Sequence, residues 1–432
     1  MTTRVCLLTT GQPSTNPRLV KEADALAEAG FDVQVIGAHW AEWADAFDAR
    51  LLATRAWRCH LIDWRRDTAP ATFWKTRVRH RLAQAAAPSL GSDRILAAAL
   101  SRVTPELTRA AVASQADLYI AHNLGALPAA AEAAVHHQVR LGFDAEDFHS
   151  GGFSEAETSA CELARRAERR WLPQCHYVTA ASPLIADRYA ATWGGGQPVW
   201  LLNVFPLSAR PASPRPSPPD GPLRLYWFSQ TIGANRGLED IVRAIARFDR
   251  GAIELYLRGT WQPGFRDAIQ RLSHDLGVSS RQIVSLPPGD PDEMVRLSAE
   301  FDAGLALETA VTVNNDIALS NKIFTYLLAG IAVVATRTNG QRDVIDRLGR
   351  AAIGYDAGDV DALTLALRTW MTDRSRLADA RRHAWALGSE TFNWDYEKSR
   401  FLEVVDNVMR QSLASRSVVP EVGVSTSAWA NR

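Results

Sequence analysis

The chain has 432 residues, with 48 basic and 48 acidic side chains and 47% hydrophobic residues. That length exceeds one ordinary core and implies two domains, and the balanced charge excludes a polycation that coats nucleic acid. Four cysteines, Cys6, Cys59, Cys161 and Cys175, stand far apart without a C-x-x-C pair, so neither a zinc site nor a disulfide frame is expected.

No apolar run reaches membrane-spanning length, and the first residues follow a strand pattern rather than a signal peptide. The expectation is a cytoplasmic protein that meets a membrane only at its surface. The pattern predicts a strand over 5–9, a polar loop over 11–17, a helix over 18–29 stopped by Gly30, and a strand over 33–37. Between 50 and 81, arginines and one lysine interleave with Trp57, Trp64, Phe73 and Trp74. That segment reads either as a patch for anionic lipid head groups or as a solvated loop and helix whose aromatics pack inward.

The βα rhythm continues with strands over 118–121, 139–143, 177–180 and 199–202, and a helix over 126–135. Residues 206–222, crowded with proline, serine and arginine, read as a linker. Beyond it strands are expected over 223–228, 253–257, 283–286 and 303–307, alternating with helices over 237–248, 265–276 and 292–299. Residues 314–345 then form the most informative window: a polar loop, a helix over 322–329 ended by Gly330, a strand over 331–335, and a polar loop over 339–343 that carries Gly340 and Gln341. Helices over 361–371 and 401–409 follow, and the tail from 412 has the composition of a disordered segment. Two α/β halves joined by a hinge imply parallel sheets facing one central cleft.

Chemistry concentrates where such sheets present helix starts. Arg236, before a predicted helix, and Asn321-Lys322, at the start of another, occupy equivalent places in one sheet and would converge on a diphosphate. In the first half, His122 follows a strand, as does Asp144-Ala145-Glu146-Asp147; the acids suit either an acceptor contact or a helix cap. Asn16 and Arg18 lie in or beside the rim loop over 13–18. G-x-G-x-x-G is absent from that loop, which argues against a dehydrogenase, and no P-loop motif occurs.

Taken together, Pro17-Arg18-Leu19-Val20-Lys21-Glu22-Ala23, Ala121-His122-Asn123, Asp144-Ala145-Glu146, Asn203-Val204, Arg236-Gly237-Leu238-Glu239 and Asn321-Lys322-Ile323-Phe324-Thr325-Tyr326 stand in an order that resembles the retaining GT-B glycosyltransferases of family 4. The resemblance spans about residues 4 to 410. It implies a Rossmann-like acceptor-binding domain over 1–205 and the linker over 206–222. It further implies a nucleotide-sugar-binding Rossmann-like domain over 223–395 and a helix over 396–411 that packs back on the first domain.

It implies metal-independent transfer from a nucleotide-diphosphate sugar, with no cofactor, to a glycan or lipid-linked acceptor, in cell-surface polysaccharide or glycoconjugate biosynthesis. By position, Arg236, Lys322 and His122 resemble catalytic residues. Ser229, Gln230, Gly259, Asn321, Thr325, Gly340 and Gln341 resemble donor contacts, and Asn16, Arg18, Asp144 and Glu146 acceptor contacts. The chain departs from the family at Ile317 and Thr325, where two glutamates are usual, and at Ser229-Gln230-Thr231, where Gly-Arg is usual. Glu308 and Asp316 lie near that window but out of register with the missing glutamates. The same scaffold also admits a nucleotide-sugar epimerase, a phosphorylase, or a non-catalytic partner that binds nucleotide.

Overall fold

A computed structural model describes residues 2–39, 41–154, 157–216 and 221–411. The tail read as disordered, 412–432, and residues 217–220 of the expected linker lie outside the described residues. The chain divides into two compact units, one of residues 1–201 with 398–432, the other of 202–397. Among the described residues no helix is long and apolar enough to cross a membrane.

The first unit opens with β1 (Arg4–Thr9), α1 (Pro17–Glu28), β2 (Asp32–Ala38), α2 (Asp45–Leu52) and β3 (Arg58–Ile62). Three helices follow, α3 (Pro70–Ala86), α4 (Asp93–Leu100) and α5 (Thr104–Ala113). It continues through β4 (Leu118–His122), α6 (Leu127–His137), β5 (Arg140–Ala145), α7 (Thr158–Trp171), β6 (Tyr177–Ala180), α8 (Pro183–Trp193) and β7 (Val199–Trp200). These strands form one parallel sheet ordered β3-β2-β1-β4-β5-β6-β7, so its topological switch lies between β1 and β4. Every residue of β4 is buried, the near-continuous apolar run expected of a parallel strand covered on both faces. β3 was not legible in the sequence, because an edge strand reading Arg-Cys-His-Leu-Ile carries no clean alternation.

The second unit contains β8 (Leu223–Ile232), α9 (Leu238–Ile245), β9 (Ile253–Trp261), α10 (Phe265–Asp275), β10 (Ile283–Leu286), α11 (Met294–Ser298) and β11 (Ala303–Ala306). Then come α12 (Val313–Ile317), α13 (Asn321–Ala329), β12 (Ala332–Thr336), α14 (Asn339–Leu348), β13 (Ala352–Tyr355), α15 (Val360–Thr372) and α16 (Arg374–Glu390). The final helix, α17 (Trp394–Arg410), contributes its first residues to this unit and Lys398 onwards to the first unit. There Arg140 Nε donates to the carbonyl of Val408 at 2.8 Å. The second sheet is also parallel, ordered β10-β9-β8-β11-β12-β13, with its switch between β8 and β11.

α13 is the centre of this unit. Lys322 through Ala329 are all buried, and Gly330 ends the helix in the left-handed conformation at φ 70°. α16 crosses it closely at Gly388, where a Cβ would approach the Leu327 carbonyl carbon at 2.6 Å. Each fully buried leucine of this layer contributes roughly 1.5–3 kcal/mol relative to an exposed one.

Four expected loops prove to be ordered differently. Residues 206–216 do not form a free linker but lie along α16: the Arg210 guanidinium sits 4.5 Å from the Trp385 ring, and Arg381 Nη2 donates to the Arg215 carbonyl at 2.7 Å. β8 runs on to Ile232 through an irregularity between Phe228 and Thr231, where a polar loop was expected. The loop before α13 contains the short helix α12, capped by Thr312. The segment over 339–343 is the first turn of α14, capped by Thr338.

Gly304 of β11 lies under the Tyr326 ring, which a Cβ would meet at 2.2 Å. Gly304→Ala is therefore expected to destabilise the protein by about 1–3 kcal/mol through overpacking, read as a lower urea midpoint with an unchanged slope.

Candidate functional site

In the second unit, α9 and α13 begin at the carboxyl edge of the sheet on either side of the β8/β11 switch. Gly237 precedes α9 with φ 67°, and a Cβ there would press to 2.7 Å on the Leu307 carbonyl oxygen, so the position needs glycine. This turn delivers Arg236 toward the end of β11. Just past that strand stands Glu308. Lys322, in the first turn of α13, donates from Nζ to Glu308 Oε1 at 2.6 Å, and Arg236 Nη1 lies 3.8 Å from Oε2.

Ser320 donates its hydroxyl to Glu308 at 2.8 Å instead of capping its own helix. The ammonium of Lys322 also lies 5.5 Å from the centre of the Trp227 ring. Burial opposes charge on Glu308, but Lys322, Ser320 and Arg236 outweigh it and hold the carboxyl down at about 2. The two cations expected to converge do so, on a carboxylate out of the family's glutamate register. The signal for it was an acid directly after the fully buried run of β11.

This cluster is not sealed. The side chains of Lys322, Glu308 and Arg236 are 9%, 15% and 40% exposed respectively. Arg236 is thus the most open of the three groups, and α13 begins at the same edge.

The other expected donor contacts have varied surroundings. Ser229 and Gln230 lie in the irregular part of β8, half-buried and exposed. Gly259, at φ 144°, faces them so closely that a Cβ would fall 2.2 Å from the Ser229 carbonyl oxygen. Asn321 is exposed at the start of α13. Thr325 is wholly buried and donates to the Asn321 carbonyl at 3.0 Å, so its hydroxyl serves the helix. Gly340 packs on the backbone of Ile317 and Ala318. Gln341 is buried and donates to the Thr336 carbonyl at 2.8 Å, while its Oε1 has no protein partner.

The first unit carries a second charge cluster at the corresponding edge. Register places His122 beside Asp144 and Asp144 beside Thr179 across β4, β5 and β6. Arg18, from the first turn of α1, donates to both Asp144 oxygens at 2.6 and 2.7 Å and to the Leu201 carbonyl at 2.7 Å. Thr179 adds a hydroxyl at 2.6 Å. His122 lies between Glu22, with Nε2 at 3.2 Å, and Asp144, with Nδ1 at 3.5 Å; these are charge contacts rather than aligned hydrogen bonds.

Arg18, Glu22, Asp144 and His122 are all at most 1% exposed. Burial disfavours the imidazolium, yet Glu22 and Asp144 together raise His122 from 6.5 to about 9. Burial and then the neighbouring Asp144 charge raise Glu22 above its ordinary value.

Of the four expected acceptor residues, Arg18 and Asp144 thus bind each other inside the unit. Asn16 caps α1 through Leu19 N at 3.0 Å. Glu146 alone keeps partial exposure, and burial pushes its carboxyl up to about 7. Glu22, His122 and Asp144 also bring one ligand atom each within 4.8 Å of one another, a metal-type set. Arg18 already takes both Asp144 oxygens, so the set reads as an internal ion network.

No protein-family model matches the chain, and no curated protein matches it. Solved structures do. Anabaena HepE in complex with UDP and glucose is 16% identical, with a TM-score of 0.66 over 94% of this chain and 100% of its own. Sucrose-phosphate synthase from Thermosynechococcus elongatus is 13% identical, with a TM-score of 0.68 over 95% of this chain and 100% of its own. A putative UDP-N-acetylglucosamine 2-epimerase from Listeria monocytogenes is 11% identical, with a TM-score of 0.58 over 96% and 98%. At these identities the likeness carries the fold, and the fold is GT-B.

The raised His122 contributes stability in full below 6.5, and that contribution is lost as pH rises through about 9. Among the 10 histidines, one imidazole is expected to titrate near 9 by NMR and to vanish in His122→Gln. The stability gap between that variant and the parent is expected to narrow as pH climbs from 6.5 to 9.

Proposed function

We propose that this GT-B chain is a retaining, metal-independent glycosyltransferase that moves a hexose-type sugar from a nucleotide-diphosphate sugar to a glycan or lipid-linked acceptor. The observation that carries the proposal is the convergence of Lys322 and Arg236 at the β8/β11 switch, beside the start of α13. Such a place holds anionic nucleotide ligands in doubly wound sheets. The solved structures of HepE with UDP and with UDP-glucose support this reading as fold-level analogy. Nucleotide sugars as substrates and four free cysteines suit a cytoplasmic protein in glycoconjugate or surface-polysaccharide biosynthesis.

In this reading, Lys322 acts as a point charge and Arg236 as a fork donor on the departing diphosphate, and the first-turn N–H groups of α13 add to them. The acceptor hydroxyl attacks the same face of an oxocarbenium-like centre and gives its proton to the leaving phosphate. Glu308 holds the two cations in place until the diphosphate arrives. Gln341 and Gly340 lie on the adjoining helix start, and Gln341 has an acceptor without a protein partner. His122, being 1% exposed, acts through the strand edge it charges rather than by touching the sugar. Glu146, half-buried with its carboxyl raised to about 7, is the acceptor-side group suited to a proton or hydroxyl contact.

The epimerase relative in fold supports a second reading, in which the same donor site releases the nucleotide without an acceptor. A non-catalytic nucleotide-binding partner is the third, suggested by Ile317 and Thr325 where carboxylates are usual.

A thermal-shift screen of nucleoside diphosphates tests the site directly. The matching one at a hundred times its dissociation constant is expected to stabilise the fold by about 2.7 kcal/mol. Lys322→Ala is expected to weaken that binding at least tenfold, roughly 1.4 kcal/mol or more. A parent protein that responds to no nucleoside diphosphate or nucleotide sugar would refute the assignment. Free nucleoside diphosphate appearing only when acceptor is added separates transfer from epimerisation, and turnover with any donor removes the non-catalytic reading.

Glu308→Gln gives a distinct signature. With the resident negative charge gone, the unliganded protein is expected to melt earlier. The same variant is expected to bind nucleoside diphosphate more tightly by about tenfold, with steeper salt dependence, in titration calorimetry.

A further inference from the structure

The segment over 50–81 resolves into residues that face inward and one helix face that does not. Trp57 is 5% exposed and donates from its indole to Asp24 at 2.7 Å. Trp64 and Phe73 both lie under the Arg102 guanidinium, at 4.2 and 4.9 Å. Three of the four aromatics in the segment are therefore packing groups, and Trp74 is the exception.

α3 does not turn all its large apolar residues inward. Its inner face combines polar groups with Ala83, which packs in a small cluster with Ala98 and Ala99. Thr76 is wholly buried, Arg79 Nη1 binds Glu106 at 2.9 Å, and His80 Nδ1 meets the Ala98 carbonyl at 2.8 Å. Its outer face carries an apolar stripe between polar residues. Trp74, Val78 and Leu82, spaced at i, i+4 and i+8, are 53%, 53% and 66% exposed.

At 100° per residue these three span a continuous stripe, flanked by Arg77 and Arg81 on one side and Lys75 on the other. α3 contains no aspartate or glutamate. A soluble helix normally turns such residues to the core, and an apolar stripe left outside in a polar rim marks a contact surface.

The geometry points to α3 as a docking face that lies in the plane of an anionic bilayer. The apolar stripe would enter the boundary between head groups and acyl chains, and Lys75, Arg77 and Arg81 would meet lipid phosphates at its borders. The basic rim selects this occupant. A second copy of this chain would bring the same cations against one another, whereas an anionic head-group layer complements them. The inference is independent of the reaction assigned to the donor site, because none of these residues belongs to it.

Sedimentation of the full chain with vesicles tests the proposal. The parent protein is expected to bind vesicles containing phosphatidylglycerol, to bind pure phosphatidylcholine vesicles far less, and to dissociate as salt is raised. Trp74→Glu with Leu82→Glu is expected to lower binding by roughly tenfold or more, since both large apolar contacts are lost. Lys75→Glu with Arg81→Glu is expected to remove the preference for anionic lipid. Val135→Glu, on an exposed apolar residue of α6, is expected to change nothing. Matching melting curves for the variants keep unfolding out of the comparison. Absence of parent binding, equal binding by the Trp74/Leu82 variant, or lipid-free self-association that the variant abolishes would each overturn the assignment.

Discussion

A carboxylate buried at the carboxyl edge of a parallel sheet cannot remain charged without cations beside it. Both units meet that constraint at the carboxyl edge of their sheets. In the first, Asp144 is held by Arg18 with help from Thr179 and His122. In the second, Glu308 is held by Lys322, Ser320 and Arg236. Because every paired strand is parallel, helix starts and strand ends collect on one edge of each sheet, and that is where these charges gather.

The two clusters differ in access, and access separates their roles. Around Asp144 every partner is sealed, so removing one leaves an uncompensated buried charge, a loss of about 3–5 kcal/mol in comparable sites. Such a network fixes α1 against β4, β5 and β6. Around Glu308 the carboxylate is mostly covered, but one cation, Arg236, keeps 40% of its side chain exposed. In the proposed function, an incoming diphosphate replaces protein–protein charge contacts there with protein–ligand ones. The first cluster is sealed, whereas the second leaves a cation open to solvent.

Much of the framework was readable from local pattern. The apolar runs of β4 and β12, the glycine stop after α13 and the alternation of strand and helix all lie within short windows, which periodicity can resolve. Elements without that signature escaped. β3 is a mixed-polarity edge strand, α3 carries its apolar residues on the wrong face for a core helix, and the proline-rich stretch before β8 packs along α16 through side chains far away in sequence. The irregularity in β8 was equally hidden, because it sits against Gly259 of the neighbouring strand, a contact between residues far apart in sequence.

The sequence by itself determined two α/β halves and the placement of Arg236 and Lys322 at helix starts, since both follow from residues adjacent along the chain. Only the tertiary structure decided which charges neutralise one another. Arg18 finds Asp144 across 126 positions and Leu201 across 183, while Lys322 finds Glu308 across 14. Pairings of that kind are set by strand order and burial, which no window of periodicity contains. The same reason explains why His122 came to lie inside between Glu22 and Asp144 and why Trp74, alone among its aromatic neighbours, was left facing outward.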